Sequence, residues 1–485
     1  MLLALDAWLS SIIPDRGIIY WAFSANYVLA LGFAVSEIYR SRTAQGSIAW
    51  ILSLLILPFP MTLIYAMFGL KLFDDYAAVQ THSGRVLRKV RSAKSKIVDA
   101  PSSEDWPVLV NVSQIPFLKG NDVELLIDGE ATFDSIFAGI SRAEETLLIQ
   151  FYIIHDDELG REFATRLIER ANAGVKIYLL YDDVGCFWLP RAYKERLRAA
   201  GINMHGFNHR HRILRFLGPT RIQYRNHRKI VVADGKEAWI GGLNVGDEYM
   251  GRSKRFGPWR DTHVRIKGPA VLAADLSFRE DWQWATGEEL SHGLPAVPDV
   301  AGDQSVLIMP TGPADKLESC AIAFDDVIGQ SKERLWIVSP YFVPDTSMET
   351  ALYAAALRGV DVRILIPEVP DHRIVWLASI AHAYRMIEHG ISIYRYPGGF
   401  LHEKVILVDD RIGGVGTVNF DNRSFRINFE VTMWFTHERM LNDIEKMLKK
   451  DFAAAKKVDL DKRGVRPPAV MRFMSEAARL LSPIL

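Results

Sequence analysis

The feature that most constrains this chain is a motif that occurs twice. Residues 227–244 read HRKIVVADGKEAWIGGLN, and residues 402–419 read HEKVILVDDRIGGVGTVN. Each copy begins His-x-Lys, leaves four residues before an aspartate, and ends in a glycine-containing turn and an asparagine. A repeat of this length predicts two copies of one structural unit within a single chain, because its period is too long for a solenoid array.

The residues before each motif follow the same succession of strand-like and helix-like runs. Apolar strand-like runs and amphipathic helix-like runs alternate over 146–154, 160–174 and 175–182, and again over 334–343, 348–359 and 360–367. This alternation predicts an α/β fold with two tandem α/β domains, each a mixed sheet covered by helices and related by a pseudo-two-fold axis. Ligands of such sheets lie at the strand ends.

Composition shifts along the chain set the expected boundaries. A Gly- and Pro-containing polar stretch around 286–304 separates the two repeats. We expect five segments: a transmembrane helical hairpin over 1–70, a basic connector over 71–105, the two α/β domains over 106–290 and 305–465, and an amphipathic C-terminal helix over 466–485.

The hairpin is predicted from two uncharged apolar runs, 18–36 and 43–70. Each is long enough to cross a hydrocarbon core, which takes about 20 helical residues. A signal peptide is an alternative for the first run, but no basic region precedes it and a second run follows at once. A buried hairpin of a soluble core is the weaker alternative. Pro58 and Pro60 should bend the second helix.

The side of the membrane is not decided by the charges. Arg40 and Arg42 lie between the two apolar runs, and a longer basic run follows the second one. Both sides of a hairpin cannot be cytoplasmic, so the positive-inside rule gives a conflicting result. The longer run favours, weakly, a cytoplasmic position for the catalytic domains, and it could equally lie along anionic headgroups.

The C-terminal segment has the apolar periodicity of an amphipathic helix. Apolar residues recur at three- and four-residue steps: Val470, Phe473, Met474, Ala477, Leu481 and Ile484. Two interpretations stay open, a helix that packs on the core and a helix that lies in a membrane interface.

The His-x-Lys pairs indicate a site for an anion. The flanking pattern is strand-like, and residues two apart on a strand share a face, so His227 lies beside Lys229 and His402 beside Lys404. A buried ammonium without a partner is costly, so we expect an anionic ligand there. A phosphate fits, with the lysines as point charges and further donors at Asn244, Thr417 and Asn419.

Two copies suit a displacement at a phosphodiester, which needs a nucleophile and an acid for the leaving alkoxide. The two histidines would take these opposite roles. Asp261 and Glu430 follow the two motifs at equivalent places, and we expect them to orient the histidines. Asp234 and Asp409 belong to the motif as candidate catalytic residues, but turn capping explains them better than direct catalysis.

Composition excludes some classes of protein. The chain has 58 basic and 58 acidic residues, whereas nucleic-acid-binding domains that depend on bulk charge are strongly basic. Its two cysteines, Cys186 and Cys320, fit no zinc-binding spacing. We expect no metal, no cofactor and no nucleic acid. The oligomeric state stays open, a homodimer included.

The doubled motif resembles the signature of the phospholipase D superfamily, H-x-K-x4-D-x6-G-S-x-N. Both copies match its spacing, with one departure: the serine position is Gly242 in the first copy and Thr417 in the second. Within the superfamily the chain is similar to bacterial cardiolipin synthases, in SIAWILSLLILP, FYIIHDDELG, PWRDTHVRIKGPAV, PYFVPD and GTVNFDNRS.

This resemblance implies a multi-pass enzyme of the bacterial inner membrane that acts as a phosphatidyltransferase. Two phosphatidylglycerols would give cardiolipin and glycerol through a phosphohistidine, without a metal. His227 would be the nucleophile, and His402 the general acid and then the base, although the sequence does not separate them. A phospholipase D-type hydrolase, or a transphosphatidylase with another acceptor such as phosphatidylethanolamine, stays an alternative. A non-catalytic scaffold and a nuclease are weaker ones.

Overall fold

The structure is a computed structural model that describes residues 16–40, 44–69, 100–207, 224–290, 298–459 and 468–484. Most of the predicted basic connector, residues 71–99, lies outside the described residues. The N-terminal helices and the repeat-containing part form separate compact units, and each is described by itself.

The described part of the N-terminal unit contains three helices, α1 Arg16–Arg40, α2 Ala44–Ile56 and α3 Pro58–Phe68. By length and composition, α1 is able to cross a membrane over Tyr20–Tyr39. Most of the second apolar run, predicted as one helix bent by Pro58 and Pro60, forms α2 and α3, which are separated by Leu57 alone. Proline explains the break at Leu57, because Pro58 occupies the first turn of α3 and cannot continue α2.

The three N-terminal helices share a small apolar core and one buried carboxylate. Ala30 and Ala34 of α1 pack with Leu54 of α2 and Tyr65 of α3. Glu37 accepts hydrogen bonds from Ser47 Oγ at 2.8 Å and from the Tyr65 hydroxyl at 2.7 Å. A buried carboxylate is costly without such donors, so Glu37 ties all three helices together.

The first repeat contains eight described strands: β1 Leu118–Ile127, β2 Thr146–Phe151, β3 Lys176–Tyr181, β4 Asn203–Gly206, β5 Ile230–Ala233, β6 Glu237–Gly241, β7 Trp259–Arg260 and β8 Thr262–Lys267. Its helices are α4 Ser102–Asp105, α5 Pro107–Ser113, α6 Asp128–Arg142, α7 Glu158–Asn172, α8 Arg191–Ala199 and α9 Val271–Thr286, with a 3-10 turn at Asp247–Met250.

The second repeat contains the strands β9 Gln304–Thr311, β10 Arg334–Val338, β11 Phe342–Val343, β12 Asp361–Pro367, β13 Ser392–Tyr396, β14 Phe400–Leu401, β15 Val405–Val408, β16 Ile412–Gly416, β17 Phe420–Asp421, β18 Glu430–Phe435 and β19 Lys456–Lys457. Its helices are α10 Ser319–Gly329, α11 Thr346–Leu357, α12 Arg373–Glu388, α13 Asn422–Arg426, α14 Glu438–Ala454 and α15 Ala469–Arg479, with a 3-10 turn at Ser482–Ile484. The strands and helices predicted before each motif are confirmed with boundaries shifted by a few residues, except that the run 334–343 forms two strands, β10 in the large sheet and β11 paired with β17.

One mixed sheet runs through both repeats. Among the described residues its order is β19-β13-β12-β10-β15-β16-β18-β9-β1-β8-β6-β5-β2-β3-β4. Counted outward from the antiparallel β1–β9 pair, the two halves have corresponding strand orders. In each half the strands joined by a helical crossover, such as β2–β3 and β10–β12, pair in parallel. The predicted α/β fold with two tandem repeats is therefore confirmed, and the repeats are fused through one sheet.

Two short pairings cross between the repeats and bring the motifs together. The strand β7 pairs in parallel with β14, and Asn226 forms a parallel bridge with Phe429. The strand β5 pairs antiparallel with β2, so the start of β5 lies beside the end of β2. In the same way, the start of β15 lies beside the end of its antiparallel neighbour β10. Both His-x-Lys segments therefore lie at the edge formed by the carboxyl ends of the parallel strands, as expected for α/β sheets.

The C-terminal helix α15 packs on α12 with its small side chains, Ser475 and Ala478 being buried. Three of the apolar residues predicted to form one face, Val470, Phe473 and Met474, are exposed. The helix covers Ala469–Arg479, a shorter range than the predicted segment 466–485. Its exposed apolar face is not the one expected of a helix that packs on the core.

Candidate active site

Each His-x-Lys segment immediately precedes a strand. His227 and Lys229 precede β5, and His402 and Lys404 precede β15, so the prediction that they lie within the strands is wrong by a few residues. The reason is the crossed pairing, because His227 N donates to Phe429 O at 2.9 Å and His402 N donates to Arg260 O at 2.7 Å. The backbone of each motif is bound to the other repeat before it enters its own sheet.

Each histidine pairs with the acid of the other repeat. His227 Nδ1 lies 2.9 Å from Glu430 Oε2, and His402 Nδ1 lies 2.7 Å from Asp261 Oδ2. A carboxylate only accepts, so Nδ1–H donates and Nε2 of each ring is left for chemistry. All four side chains are buried or nearly so. The β7–β14 pair and the Asn226–Phe429 bridge produce this crossing, because they align the residue before each acid with the residue before each histidine.

The two lysines fold back onto their own histidines. Lys229 Nζ donates to His227 O at 2.7 Å, while Lys404 Nζ donates to His402 O and lies 2.9 Å from His402 Nδ1. Both lysines are buried. The expected proximity of each lysine to its histidine is therefore observed. Each lysine also lowers the pKa of the other repeat's histidine, so both pairs share one buried site.

Burial and neighbouring charges shift the pKa values of this group. Burial lowers the pKa of His227 and, together with Lys404, lowers that of His402 to about 4. Burial also lowers the pKa of Lys229 well below its usual value and that of Lys404 to about 8. Both imidazoles are thus neutral at neutral pH in the free protein, the state that a nucleophile requires.

The two acids stay ionised for the opposite reason. Burial acts to raise the pKa of Asp261, but Lys404 and His402 outweigh it and lower the pKa. The same holds for Glu430, where His227 and Lys229 outweigh burial. An ionised carboxylate on Nδ1 stabilises the imidazolium that forms when Nε2 takes up a proton.

The departure from the serine of the motif has a structural cause. A side-chain Cβ at Gly242 would lie 2.1 Å from Asp261 Oδ1, so only glycine fits there. In the second copy Thr417 Oγ1 donates to Glu430 Oε2 at 2.5 Å. The hydroxyl that the sequence suggested as a phosphate donor is therefore directed at the acid of its own repeat.

The two motif asparagines differ in their partners. Asn244 Nδ2 donates to the Tyr249 hydroxyl at 3.1 Å, and its Oδ1 accepts from Ile153 N at 3.1 Å. Asn419 N donates to Ser424 Oγ, while Asn419 Oδ1 is buried without a hydrogen-bond partner among the described residues. Because Oδ1 only accepts, a phosphoryl oxygen would have to bind Asn419 through its Nδ2 group.

The motif aspartates lie at the far ends of β5 and β15. Asp234 accepts from the backbone N–H groups of residues 144–146, and Asp409 from those of residues 332–334. Both have positive φ, 51° and 50°. A four-residue strand, roughly 13 Å long, separates each aspartate from its histidine. This arrangement supports the turn-capping interpretation over direct catalysis.

Two arginines that hold the site in place were not predicted. Arg228, the middle residue of the first His-x-Lys, is fully buried, binds Asp281 at 2.9 Å and donates to Glu430 O. Arg260 binds Asp451 at 2.8 Å and Glu403 at 3.1 Å. For Arg228 the sequence offered one signal, a basic residue between His227 and Lys229, whereas Arg260 lies outside both motifs, directly before Asp261.

The histidines have different aromatic neighbours. The ring of Tyr152 is edge-on to His227 with centroids 5.1 Å apart, and Lys229 Nζ lies over the same ring. Trp259 and Phe400 flank His402 at 5.1 and 5.8 Å. The two sides of the site thus share the same kind of His–acid dyad but differ in the aromatic side chains around each histidine. Among the described residues, no group of three or more His, Cys, Asp or Glu side chains is arranged to hold a metal ion.

A duplicated His-Lys site on a fused α/β sheet defines a protein of the phospholipase D class. The comparisons agree: the family described as "Cardiolipin synthase, PLD-like domain" matches residues 136–258 and 324–452. The chain belongs to this family.

Among curated proteins, the chain is 42% identical over 472 residues to "Cardiolipin synthase A" of Pseudomonas fluorescens, covering 95% of this chain and 97% of that protein. It is 41% identical over 472 residues to the protein of the same name from Pseudomonas putida strain W619, with the same coverage. Among solved structures, phosphatidylserine synthase of Haemophilus influenzae superimposes with a TM-score of 0.60 at 16% identity, covering 78% of this chain and 99% of that one. At that identity the last comparison supports the fold alone.

Proposed function

We propose that this protein is a cardiolipin synthase. It transfers a phosphatidyl group from one phosphatidylglycerol to the terminal hydroxyl of a second, giving cardiolipin and glycerol. The observation that carries this proposal is the pair of crossed His–acid dyads at one site, each beside a buried lysine. The curated relatives that match nearly the whole chain carry the name of this activity, which supports the proposal.

In the first step His227 Nε2 forms a bond to phosphorus as the bond from phosphorus to the glycerol oxygen breaks. His402 Nε2 donates a proton to that oxygen, and glycerol leaves. A phosphodiester anion at the site raises the pKa of the surrounding imidazoles, which allows His402 to be protonated when the lipid is bound. Lys229, Lys404 and Asn419 bind the phosphoryl oxygens, and Glu430 and Asp261 orient the rings.

In the second step His402 takes the proton from the hydroxyl of the second lipid. The oxygen attacks phosphorus, the bond from phosphorus to His227 breaks, and cardiolipin forms. Water must be kept out while the phosphohistidine exists. A lipid acceptor in the same bilayer is present at high effective concentration, which favours transfer over hydrolysis.

The location that we propose is the bacterial inner membrane, with α1 and the helices after it forming a multi-pass anchor and the catalytic repeats on the cytoplasmic side. The length and composition of α1 support an anchor. The exposed apolar face of α15 is placed in the interface beside anionic lipid.

The reaction is tested with purified protein and phosphatidylglycerol labelled in its headgroup glycerol. We expect cardiolipin and free glycerol in equal amounts. Phosphatidic acid without cardiolipin would identify a hydrolase instead. A mixed product that forms only when phosphatidylethanolamine is added would identify a different acceptor.

The roles of the histidines are tested by trapping the intermediate. A wild-type reaction stopped at alkaline pH during turnover should retain a phosphatidyl group on His227, located by mass spectrometry. His227→Asn should retain none. Label on His402 in the wild-type protein would reverse the two roles.

A further inference from the structure

The loop between β3 and α8, residues 182–190, exposes two adjacent aromatic side chains that the mechanism does not use. Phe187 is 61% exposed and Trp188 is 85% exposed. Their rings pack edge to face with centroids 5.0 Å apart. A single exposed apolar residue is ordinary on a protein surface, but a paired Phe and Trp at a loop tip presents a compact apolar unit of the kind that favours a water–lipid interface.

The loop that carries this tip is rigidly held. Asp182 Oδ1 accepts from Val184 N at 2.9 Å and from Gly185 N at 3.1 Å, and the backbone of Cys186 donates to Asp182 O. The side chains of Cys186 and Leu189 are buried on either side of the tip. The two aromatic residues are therefore held outward by a fixed turn.

The same loop is bonded directly to the active site. Asp182 Oδ2 accepts from the backbone N–H of Asn226, the residue before His227, at 3.0 Å. Cys186 Sγ accepts from Ile154 N at 3.2 Å and contacts Tyr152 O at 3.5 Å. Since the ring of Tyr152 packs against His227, the aromatic tip has a fixed position at the edge of the sheet that carries the histidines.

The charge of the following helix indicates the partner. The helix α8, RAYKERLRA, begins three residues after Trp188 and contains four basic residues and one acidic residue. Arg191, at its start, is 91% exposed in its side chain. An aromatic tip followed by basic side chains is suited to the surface of an anionic bilayer, where the rings lie at the headgroup level and the cations meet lipid phosphates.

We propose that Phe187 and Trp188 insert into the interface of an anionic lipid bilayer and thereby hold the site of His227 and His402 against the headgroups. The partner follows from the proposed function, in which both substrates are bilayer lipids. The contact itself is a property of this loop and can be measured without turnover.

The first experiment measures insertion in the full-length protein reconstituted in phosphatidylglycerol vesicles. Trp188→Cys is labelled with an environment-sensitive fluorophore, and the wild-type protein is the labelling blank because Cys186 and Cys320 are both buried. The control is Leu357→Cys, which is 86% exposed and precedes β12, at the sheet edge opposite the histidines. A nitroxide-labelled lipid should quench the probe at position 188 and not that at position 357; equal quenching would overturn the proposal.

The second experiment separates docking from catalysis. In Phe187→Ser/Trp188→Ser, we expect activity on phosphatidylglycerol in vesicles to fall on the order of tenfold, because the variant removes both rings that insert. Activity on a short-chain phosphatidylglycerol below its micellar concentration should stay at the wild-type rate. Equal losses on both substrates would assign the tip to the fold of the site and contradict docking. Wild-type protein that makes no cardiolipin in either assay would contradict the proposed function and leave the quenching result to stand by itself.

Discussion

At the scale of single residues, the two sides of the site differ most at the position that follows the motif glycine. Gly242 leaves room for the carboxylate of Asp261, which a Cβ would meet at 2.1 Å. Thr417 instead donates its hydroxyl to Glu430. The smaller residue, Gly242, thus lies beside the shorter acid, and the larger residue, Thr417, lies beside the longer one. Each acid contacts the histidine of the other repeat.

Restoring the motif serine in the first copy should consequently damage the enzyme. Gly242→Ser would displace Asp261 from His402, and we expect cardiolipin formation to fall by about 100-fold, since misplacement by an ångström can have this effect. Thr417→Ser keeps a hydroxyl for Glu430 and should stay within a few-fold of the wild-type rate. Similar rates for the two variants would show that the contact with Asp261 is unimportant.

The buried histidines should also make the protein sensitive to acid. The pKa of His402 is about 4 in the folded protein and about 6.5 in an unfolded chain. Between these values the unfolded chain binds more protons, so the free energy of unfolding falls as the pH is lowered from about 6.5 towards 4.

This effect is measured as the thermal unfolding midpoint against pH. We expect His402→Gln to reduce the decline over that window. A decline of equal size in wild type and His402→Gln would contradict the assignment.

At the scale of elements, one buried carboxylate contributes to the packing of the three N-terminal helices. In the N-terminal unit Glu37 accepts from Ser47 and Tyr65, so one carboxylate connects α1, α2 and α3. The surrounding apolar cluster is small, which leaves much of the specificity of this packing to Glu37.

Removing one donor should loosen these helices. Tyr65→Phe leaves an oxygen of Glu37 without its partner, at a cost of roughly 1–3 kcal/mol. We expect faster amide hydrogen exchange in α1 and α3 of the purified protein. Tyr27→Phe is the matched control, because Tyr27 is an exposed residue of α1. Unchanged exchange in Tyr65→Phe would mean that the hydrogen bond does not hold the helices.

At the scale of the whole molecule, the site belongs to neither repeat alone. The crossed contacts and the continuous sheet place one member of each His–acid dyad in each half of one chain. Mixtures of inactive variants test this arrangement. Proteins with His227→Ala and with His402→Ala, reconstituted together, should remain inactive, since each chain builds its own site. Recovery of activity would indicate that chains exchange repeats.

The sequence was sufficient for the repeats, the α/β fold and the proximity of each lysine to its histidine, because all of these follow from local periodicity and motif spacing. It did not say which acid pairs with which histidine. That pairing depends on the bridge between Asn226 and Phe429 and on the β7–β14 pair, which join residues distant in the chain. The supporting arginine Arg228 was missed for the same reason, since its partner Asp281 lies on a helix after the motif.

The antiparallel junction of β1 and β9 has a consequence for how the two sides of the site can diverge. In a symmetric pair of identical subunits every substitution appears twice, so the two faces of a shared site are always the same. A covalent fusion through one sheet removes this restriction. One half can combine glycine with a short acid and the other threonine with a long one, while the junction keeps both halves in register around a single phosphorus atom.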